Sequence, residues 1–318
     1  MLEIRDLVVK YKTSKGSVSA VDQISLEIDN GTIFGLVGES GSGKTTLGLS
    51  LLRILPPNAS IESGDILVSG TNITKLKERE MRSWRGKKIA MVFQGAMNSL
   101  NPLMTVEEQV AEPLIIHENM ERSLANRKAR DNLANVGLGE NILKRYPHEL
   151  SGGMKQRVVI AMAIIGHPEL LIADEPTTAL DVVTQHRIMK LFKALRDEYG
   201  ITIIMISHDL PIVAEVANSM AIMYGGKISE VGKAREVVTK SKHPYTQGLI
   251  KSIPNPKSSE VIRGIPGEPV SLVNPPPGCR FYDRCPFRRD ICKTYDYNPA
   301  VLDGQHKVYC NLYEVGKQ

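Results

Sequence analysis

Aromatic residues are scarce: one Trp, five Phe and ten Tyr make up 5% of 318 residues. Aliphatic side chains must therefore fill any core, and the chain is long enough to bury one. Cysteine is missing until Cys279, and all four cysteines follow from there. No apolar run approaches the roughly 18–20 residues that cross a bilayer, so any membrane-spanning part must come from other subunits. The N-terminal MLEIRDLVVKYK lacks the apolar centre and cleavage site of a signal peptide, which points to the cytosol. Internal repeats and low-complexity tracts are absent. So is a dominant charge: 40 basic and 35 acidic residues leave a net +5. That balance permits an anionic ligand or a membrane-facing location and demands neither. With 42% hydrophobic and 24% charged residues, wholesale disorder is excluded. The length suits one large domain or two small ones.

Apolar alternation over 2–12 and 18–28, around the break TSKG, predicts an antiparallel strand pair. Short apolar runs predict strands at 32–37, 63–68, 88–93, 170–174, 202–207, 219–224 and 227–232. Helical spacing is present at 105–116, 122–136 and 152–166. Alternation of strands and helices in the second half predicts parallel pairing and an α/β sheet covered by helices. The character changes after Tyr245: residues 254–278 are rich in proline, and the cysteines follow. A boundary is expected near 240–255.

GESGSGKT (38–45) fits G-x-x-x-x-G-K-[ST] in the required context, after a buried strand and before a helix. Gly38, Gly41 and Gly43 let the backbone turn its N–H groups toward phosphate oxygens. The helix N-terminus adds partial positive charge. Lys44 is placed to reach the β- and γ-phosphates, Thr45 to bind Mg²⁺, and Thr46 to add a phosphate hydrogen bond. In LLIADEP (170–176) an apolar strand runs into two carboxylates. Asp174 then falls beside the metal, and Glu175 is a candidate general base for an attacking water.

LSGGMKQR (150–157) precedes that strand. With the motifs above, it resembles the signature of the ATP-binding-cassette family, and six motifs stand in the family's order over roughly residues 1–250. The resemblance implies an α/β P-loop NTPase (RecA-like) core with an antiparallel β subdomain and a helical subdomain over about 95–166. The cassette is expected to span residues 1–253. A small Cys-rich C-terminal domain is expected over 254–318. It implies that Tyr11 stacks on adenine, that Gln94 touches Mg²⁺ and the membrane subunit, and that His208 contacts the γ-phosphate. Ser40 joins Gly38, Gly41, Gly43, Lys44, Thr45 and Thr46 around the phosphates. Ser151 is also a good helix N-cap. Ser151 and Gly153, with Asp181 of the Ala179–Leu180–Asp181 loop, are implied to meet the ATP held by a second cassette. Catalysis is implied for Glu175, His208, Gln94 and Lys44, and Mg²⁺ ligation for Thr45, Gln94 and Asp174.

SLNPLMTV (99–106), ADEPTTALDVVTQ (173–185), HPYTQGLIKSIP (243–254), GEP (267–269) and PPPGCRFYDRC (275–285) are similar to the ATPase subunits of dipeptide/oligopeptide importers, a group that includes nickel importers. Gly95–Ala96 departs from that group's acidic residue followed by proline. The implied function is ATP-driven dimerisation that powers peptide import, with nickel or another cargo as the alternative. The implied partners are two transmembrane permeases, a second and different ATPase chain, and an external substrate-binding protein. The implied location is peripheral, on the cytoplasmic face of the membrane. Long coiled-coil insertions and tandem cassettes, marks of members that act on DNA or ribosomes, are absent, so no nucleic-acid partner is expected.

Cys279, Cys285, Cys292 and Cys310 lack the short C-x₂₋₄-C knuckle usual for zinc. A reducing cytosol disfavours disulfides. Four thiolates match the ligand count of a 4Fe–4S cluster, which the tail of some members of the importer group carries. Zinc, or no metal, stays open. Arg280, Arg284, Arg288 and Arg289 lie among them, either to offset cluster charge or as a solvated basic face.

Overall fold

The computed structural model describes residues 1–253, 264–302 and 306–313. The expected boundary at 253/254 therefore falls at the edge of a stretch, 254–263, outside the described residues. In chain order the first elements are β1 Leu2–Thr13, β2 Gly16–Ile28, β3 Ile33–Val37, α1 Lys44–Leu52, β4 Ala59–Val68, β5 Thr71–Asn72, α2 Glu78–Trp84 and β6 Ile89–Val92. Then come α3 Val106–Glu118, α4 Arg122–Asn135, α5 Gly152–Ile164, β7 Leu170–Asp174, α6 Val182–Tyr199 and β8 Thr202–Ser207. The last are α7 Leu210–Val216, β9 Ser219–Tyr224, β10 Lys227–Lys233, α8 Ala234–Thr239, α9 Pro244–Lys251, β11 Ala300–Val301 and β12 Lys307–Val308.

The chain forms two compact units, one of Met1–Ile28, Phe34–Thr74 and Ser207–Gln318, the other of Asp29–Ile33 and Lys75–Ile206. In the first unit, β2, β1, β4 and β5 form an antiparallel sheet in that order. Alternation buries Leu2, Ile4, Leu7 and Val9 on one face of β1. Register shifts after Ile4 accommodate Asp6 in the left-handed region, where its N–H donates to Ser25 Oγ at 2.8 Å. Also in this unit, β3 pairs parallel to β9 from Phe34 onward, and β12 lies between β10 and β11.

The parallel expectation fails for β9 and β10, which pair antiparallel. Only Gly225 and Gly226 join them, and a two-residue link has no length for a crossover helix.

In the second unit, β6, β7 and β8 are parallel neighbours. All three are buried along their length, which explains why their sequences read as continuous apolar runs. α3, α4 and α5 pack as a helical cluster in this unit. Thr105 caps α3 in a capping box with Glu108. Asn132 Nδ2 donates to Ala161 O at 2.6 Å, tying α4 to α5. Among the described residues no helix is long and apolar enough to cross a membrane.

Leu171 in the middle of β7 is fully buried. Leu171→Ala is expected to lose about 2–5 kcal/mol of stability, through lost transfer energy and the cavity left behind. Exposed Arg82→Ala should stay within about 0.5 kcal/mol of wild type in the same denaturant titration.

Candidate active site

The glycine-rich segment is a loop from Gly38 to Gly43 that feeds α1 at Lys44, as its spacing predicts. Gly43 has φ 101°, and a Cβ there would stand 1.9 Å from Ala20 O of β2. Only glycine permits this approach. Gly226 N–H donates to Ser42 O at 3.0 Å, so the β9–β10 turn fastens the loop from another side. Lys44 is buried, and its Nζ donates to the carbonyls of Gly38 and Glu39 at 2.8 Å each. Ser40, Gly41 and Thr45 are exposed at the loop surface. Tyr11, half-buried on β1, shares a hydrogen bond with Thr46 Oγ1 at 3.0 Å, so these two predicted residues are adjacent. His208 follows β8, exposed, just before α7, whose N-cap Asp209 accepts from Ile212 N–H. A tight loop of this kind presents backbone N–H groups and one lysine to an anion, at the start of a helix.

The remaining residues predicted for the nucleotide belong to the second unit. Asp174 ends β7 and is 1% exposed. Glu175 follows in the left-handed region at φ 49°, with its N–H donating to Ile206 O at 2.9 Å. Such a conformation is costly for a residue with a Cβ and is held there by its surroundings. Thr178 Oγ1 donates to Glu175 Oε2 at 3.2 Å. Gln94 is exposed after β6, and Gly95 follows at φ 68°. Ser151 caps α5, its hydroxyl accepting from Met154 N–H. Arg157 donates to the carbonyls of Val136 and Gly137, which fixes α5 to the turn after α4. Asp181 caps α6 by accepting from Thr184 N–H at 2.9 Å and Oγ1 at 2.7 Å, and these bonds lower its pKa. A Cβ on Gly153 would stand 2.6 Å from Thr184 Cγ2. The signature and the Asp181 loop are thus neighbours, with glycine making the contact possible.

The ABC transporter family profile matches residues 21–178. A second profile, described as the C-terminal region of oligopeptide/dipeptide transporters, matches residues 229–292. The chain is 41% identical to the dipeptide transport ATP-binding protein DppD of Bacillus subtilis (strain 168), covering 98% of this chain and 94% of that protein. It is 44% identical to the oligopeptide transport ATP-binding protein OppD of the same organism, covering 95% and 85%. The chain belongs to the ABC transporter family.

Its fold is that of an ABC ATPase cassette. A solved dimeric cassette, MJ0796, bound to ADP and Pi in a post-hydrolysis state, is similar at a TM-score of 0.66 and 30% identity, covering 74% of this chain and 99% of that one. Family membership makes the chain an ATP-binding, ATP-hydrolysing subunit, in keeping with the phosphate loop described above.

The cysteines of this ABC ATPase lie in the first unit. Cys279, Cys285, Cys292 and Cys310 line one small cavity with His243 and Phe281. Cys279 N–H donates to Cys292 O at 2.8 Å, which brings two of the segments together. Burial, with neighbouring thiols adding to it, pushes the Cys279 thiol up to about 12 and Cys310 to about 11. Burial also raises Cys285. His243 is driven down to about 3 by burial, and its neutral Nδ1 accepts from Tyr245 N–H. Among the described residues, no group of three or more His, Cys, Asp or Glu stands close enough to hold a metal ion. Neither a zinc ion nor a 4Fe–4S cluster therefore has a preformed site there.

The arginines part company with their sequence reading. Arg280 and Arg284 are buried rather than a solvated face, and they pair with Asp22 and Glu39 rather than with the thiols. Arg288 and Arg289 are exposed. Nothing local marks this difference, because the carboxylate partners lie near the other end of the chain. The positions that sequence reasoning missed are Glu39 and Asp22. The only signal for Glu39 is a carboxylate placed inside a phosphate-binding motif.

Gly43→Ala is expected to weaken MgATP binding by about tenfold or more, because strain of about 1–3 kcal/mol and a clash with backbone cannot be relieved by a side-chain movement. Gly31→Ala is the control, being left-handed at φ 64° with nothing nearer than 3.6 Å to its added Cβ. Titration with a fluorescent ATP analogue should show normal affinity for the control.

Proposed function

We propose that this chain is the ATP-hydrolysing subunit of an importer of dipeptides or oligopeptides, held peripherally at the cytoplasmic face of the membrane. The observation that carries the reading is the phosphate loop, with buried Lys44 at a helix start and Gly43 pressed against β2, in a chain over 40% identical to peptide-transport ATP-binding proteins. The relatives' names favour peptides over nickel.

Tyr11 stacks on adenine in this reading, and its bond to Thr46 keeps the ring beside the phosphate loop. Gly38, Ser40, Gly41, Gly43, Lys44, Thr45 and Thr46 hold the phosphates. Thr45, Gln94 and buried Asp174 are assigned to Mg²⁺. Glu175 takes a proton from the attacking water, and its fixed left-handed backbone supports a positioned base. His208 meets the γ-phosphate. Ser151, Gly153 and Asp181 serve the ATP of a second, different ATPase chain, so that each nucleotide joins two cassettes. The similar cassette MJ0796 is itself dimeric. Two permeases and an external binding protein complete the assembly. ATP then favours the closed pair, and hydrolysis removes that preference.

Residues 254–318 form a Cys-rich C-terminal domain on the cassette of 1–253 in this reading. The family profile over 229–292, described as a transporter C-terminal region, supports it. Cys279, Cys285, Cys292 and Cys310 are assigned to a 4Fe–4S cluster. The donor set suits it, and all four thiols line one cavity. Bound there, the cluster would supply a staple across a segment with few buried apolar residues. The chain's part is to release the thiol protons that burial now retains.

Glu175→Gln is expected to lower ATP turnover by about 10²–10⁴-fold while a MgATP-dependent dimer accumulates in light scattering. Near-normal turnover would remove Glu175 as the base. Anaerobically purified protein is expected to carry about four irons per chain and to absorb broadly in the visible. Cys292→Ser should lose both, and a colourless, iron-free wild type would exclude the cluster.

A further inference from the structure

Glu39 sits inside the phosphate loop and is gripped at three of its groups. Its N–H donates to Tyr245 Oη at 3.0 Å. Its carbonyl accepts from Lys44 Nζ at 2.8 Å. Its carboxylate accepts two hydrogen bonds from one guanidinium, from Arg284 Nη1 at 2.8 Å and Nη2 at 3.1 Å. That arginine lies one residue before Cys285, in the cysteine-bearing segment.

Arg284 is built to hold a position rather than to carry a loose surface charge. Its side chain is 5% exposed. Nε donates to Pro266 O at 3.0 Å, Nη1 also donates to Tyr224 Oη at 3.3 Å, and Nη2 also donates to Ile265 O at 3.2 Å. The two bonds to Glu39 complete a guanidinium's five N–H donors. The plane lies over Tyr224, 5.6 Å from its ring centre. Tyr224, Tyr245 and Phe281 pack against one another with ring centres 4.6–5.4 Å apart, so the anchors of the arginine are themselves fixed.

The chemistry of the loop gives this pairing a consequence. A triphosphate is strongly anionic, and an unpaired carboxylate within its cradle would oppose it. A bidentate guanidinium both cancels the Glu39 charge and fixes its backbone, whose carbonyl in turn receives Lys44. We propose that Arg284 is a positioning residue for the phosphate loop: the cysteine-bearing segment neutralises and locks Glu39, and ATP affinity depends on that lock. The proposal rests on the ATPase reading above and goes beyond it. It gives the C-terminal segment a direct part in nucleotide binding.

The test is a double-mutant cycle on the full chain, read by MgATP titration and by steady-state ATP hydrolysis. Arg284→Gln leaves the Glu39 carboxylate unpaired and is expected to raise both Kd and KM for MgATP about tenfold, with kcat within about twofold of wild type. Glu39→Gln in the Arg284→Gln background removes the repulsive charge and is expected to return Kd to within about threefold of wild type. A merely structural role for Arg284 would lower the melting temperature without that rescue. A folded Arg284→Gln protein with wild-type Kd overturns the proposal, and so does a double variant no better than Arg284→Gln. Should Arg284→Gln fail to fold, Arg284→Lys keeps the charge and loses the paired geometry. Its Kd is expected to rise about threefold, and an unchanged value overturns the proposal. A wild-type chain that does not bind MgATP would instead overturn the ATPase reading, and the proposal with it.

Discussion

The close approach of backbone to backbone at Gly43 is the constraint on which the phosphate loop depends. A loop that turns its N–H groups toward an anion has few groups left with which to hold itself. Here it is held from outside, by Ala20 of β2 against Gly43, by Gly226 bonded to Ser42, and by Tyr245 bonded to Glu39. The lysine completes the frame by bonding to two loop carbonyls. A loop held in this way meets an anion without first being ordered, which spares the binding step an entropic cost.

A second theme is the use of buried polar and charged pairs to join distant parts of the first unit. Asp22 of β2 pairs with Arg280 and, at 3.3 Å, with Lys227. Glu230, fully buried on β10, accepts from the N–H groups of Lys242 and His243 and pairs with His306 Nε2 at 2.7 Å. A buried carboxylate is tolerable only when its oxygens are satisfied in this way. Such pairs add little net stability over apolar contacts, yet breaking one is costly, so they select a single arrangement. The cysteine-bearing segment gains its place through Arg280, Arg284 and His306 together with the buried rings of Phe281 and Tyr295.

In the second unit the candidate site residues lie where regular structure ends. Asp174 and Glu175 occupy the last position of a buried strand and the strained residue after it. Ser151 and Asp181 are N-caps, so each already spends side-chain oxygens on a helix start. These positions combine a rigid support with an open side.

Much of this was legible in the sequence. The strands from β6 to β8 declare themselves as apolar runs, and the phosphate loop, the Asp174–Glu175 pair and the signature are local patterns whose chemistry depends on neighbours within a few residues. The parallel reading of β9 and β10 failed because apolar runs carry no direction; the two-residue link between them decides it. The pairing of Arg284 with Glu39 and of Arg280 with Asp22 could not be read, because a buried arginine and a solvated one look alike in a basic stretch. The gathering of four unevenly spaced cysteines round one cavity likewise belongs to the tertiary structure. Sequence alone determines what a segment can do through its own backbone and nearest side chains. Which charge meets which across more than two hundred residues is set by packing, since burial makes an unpaired charge too costly to leave.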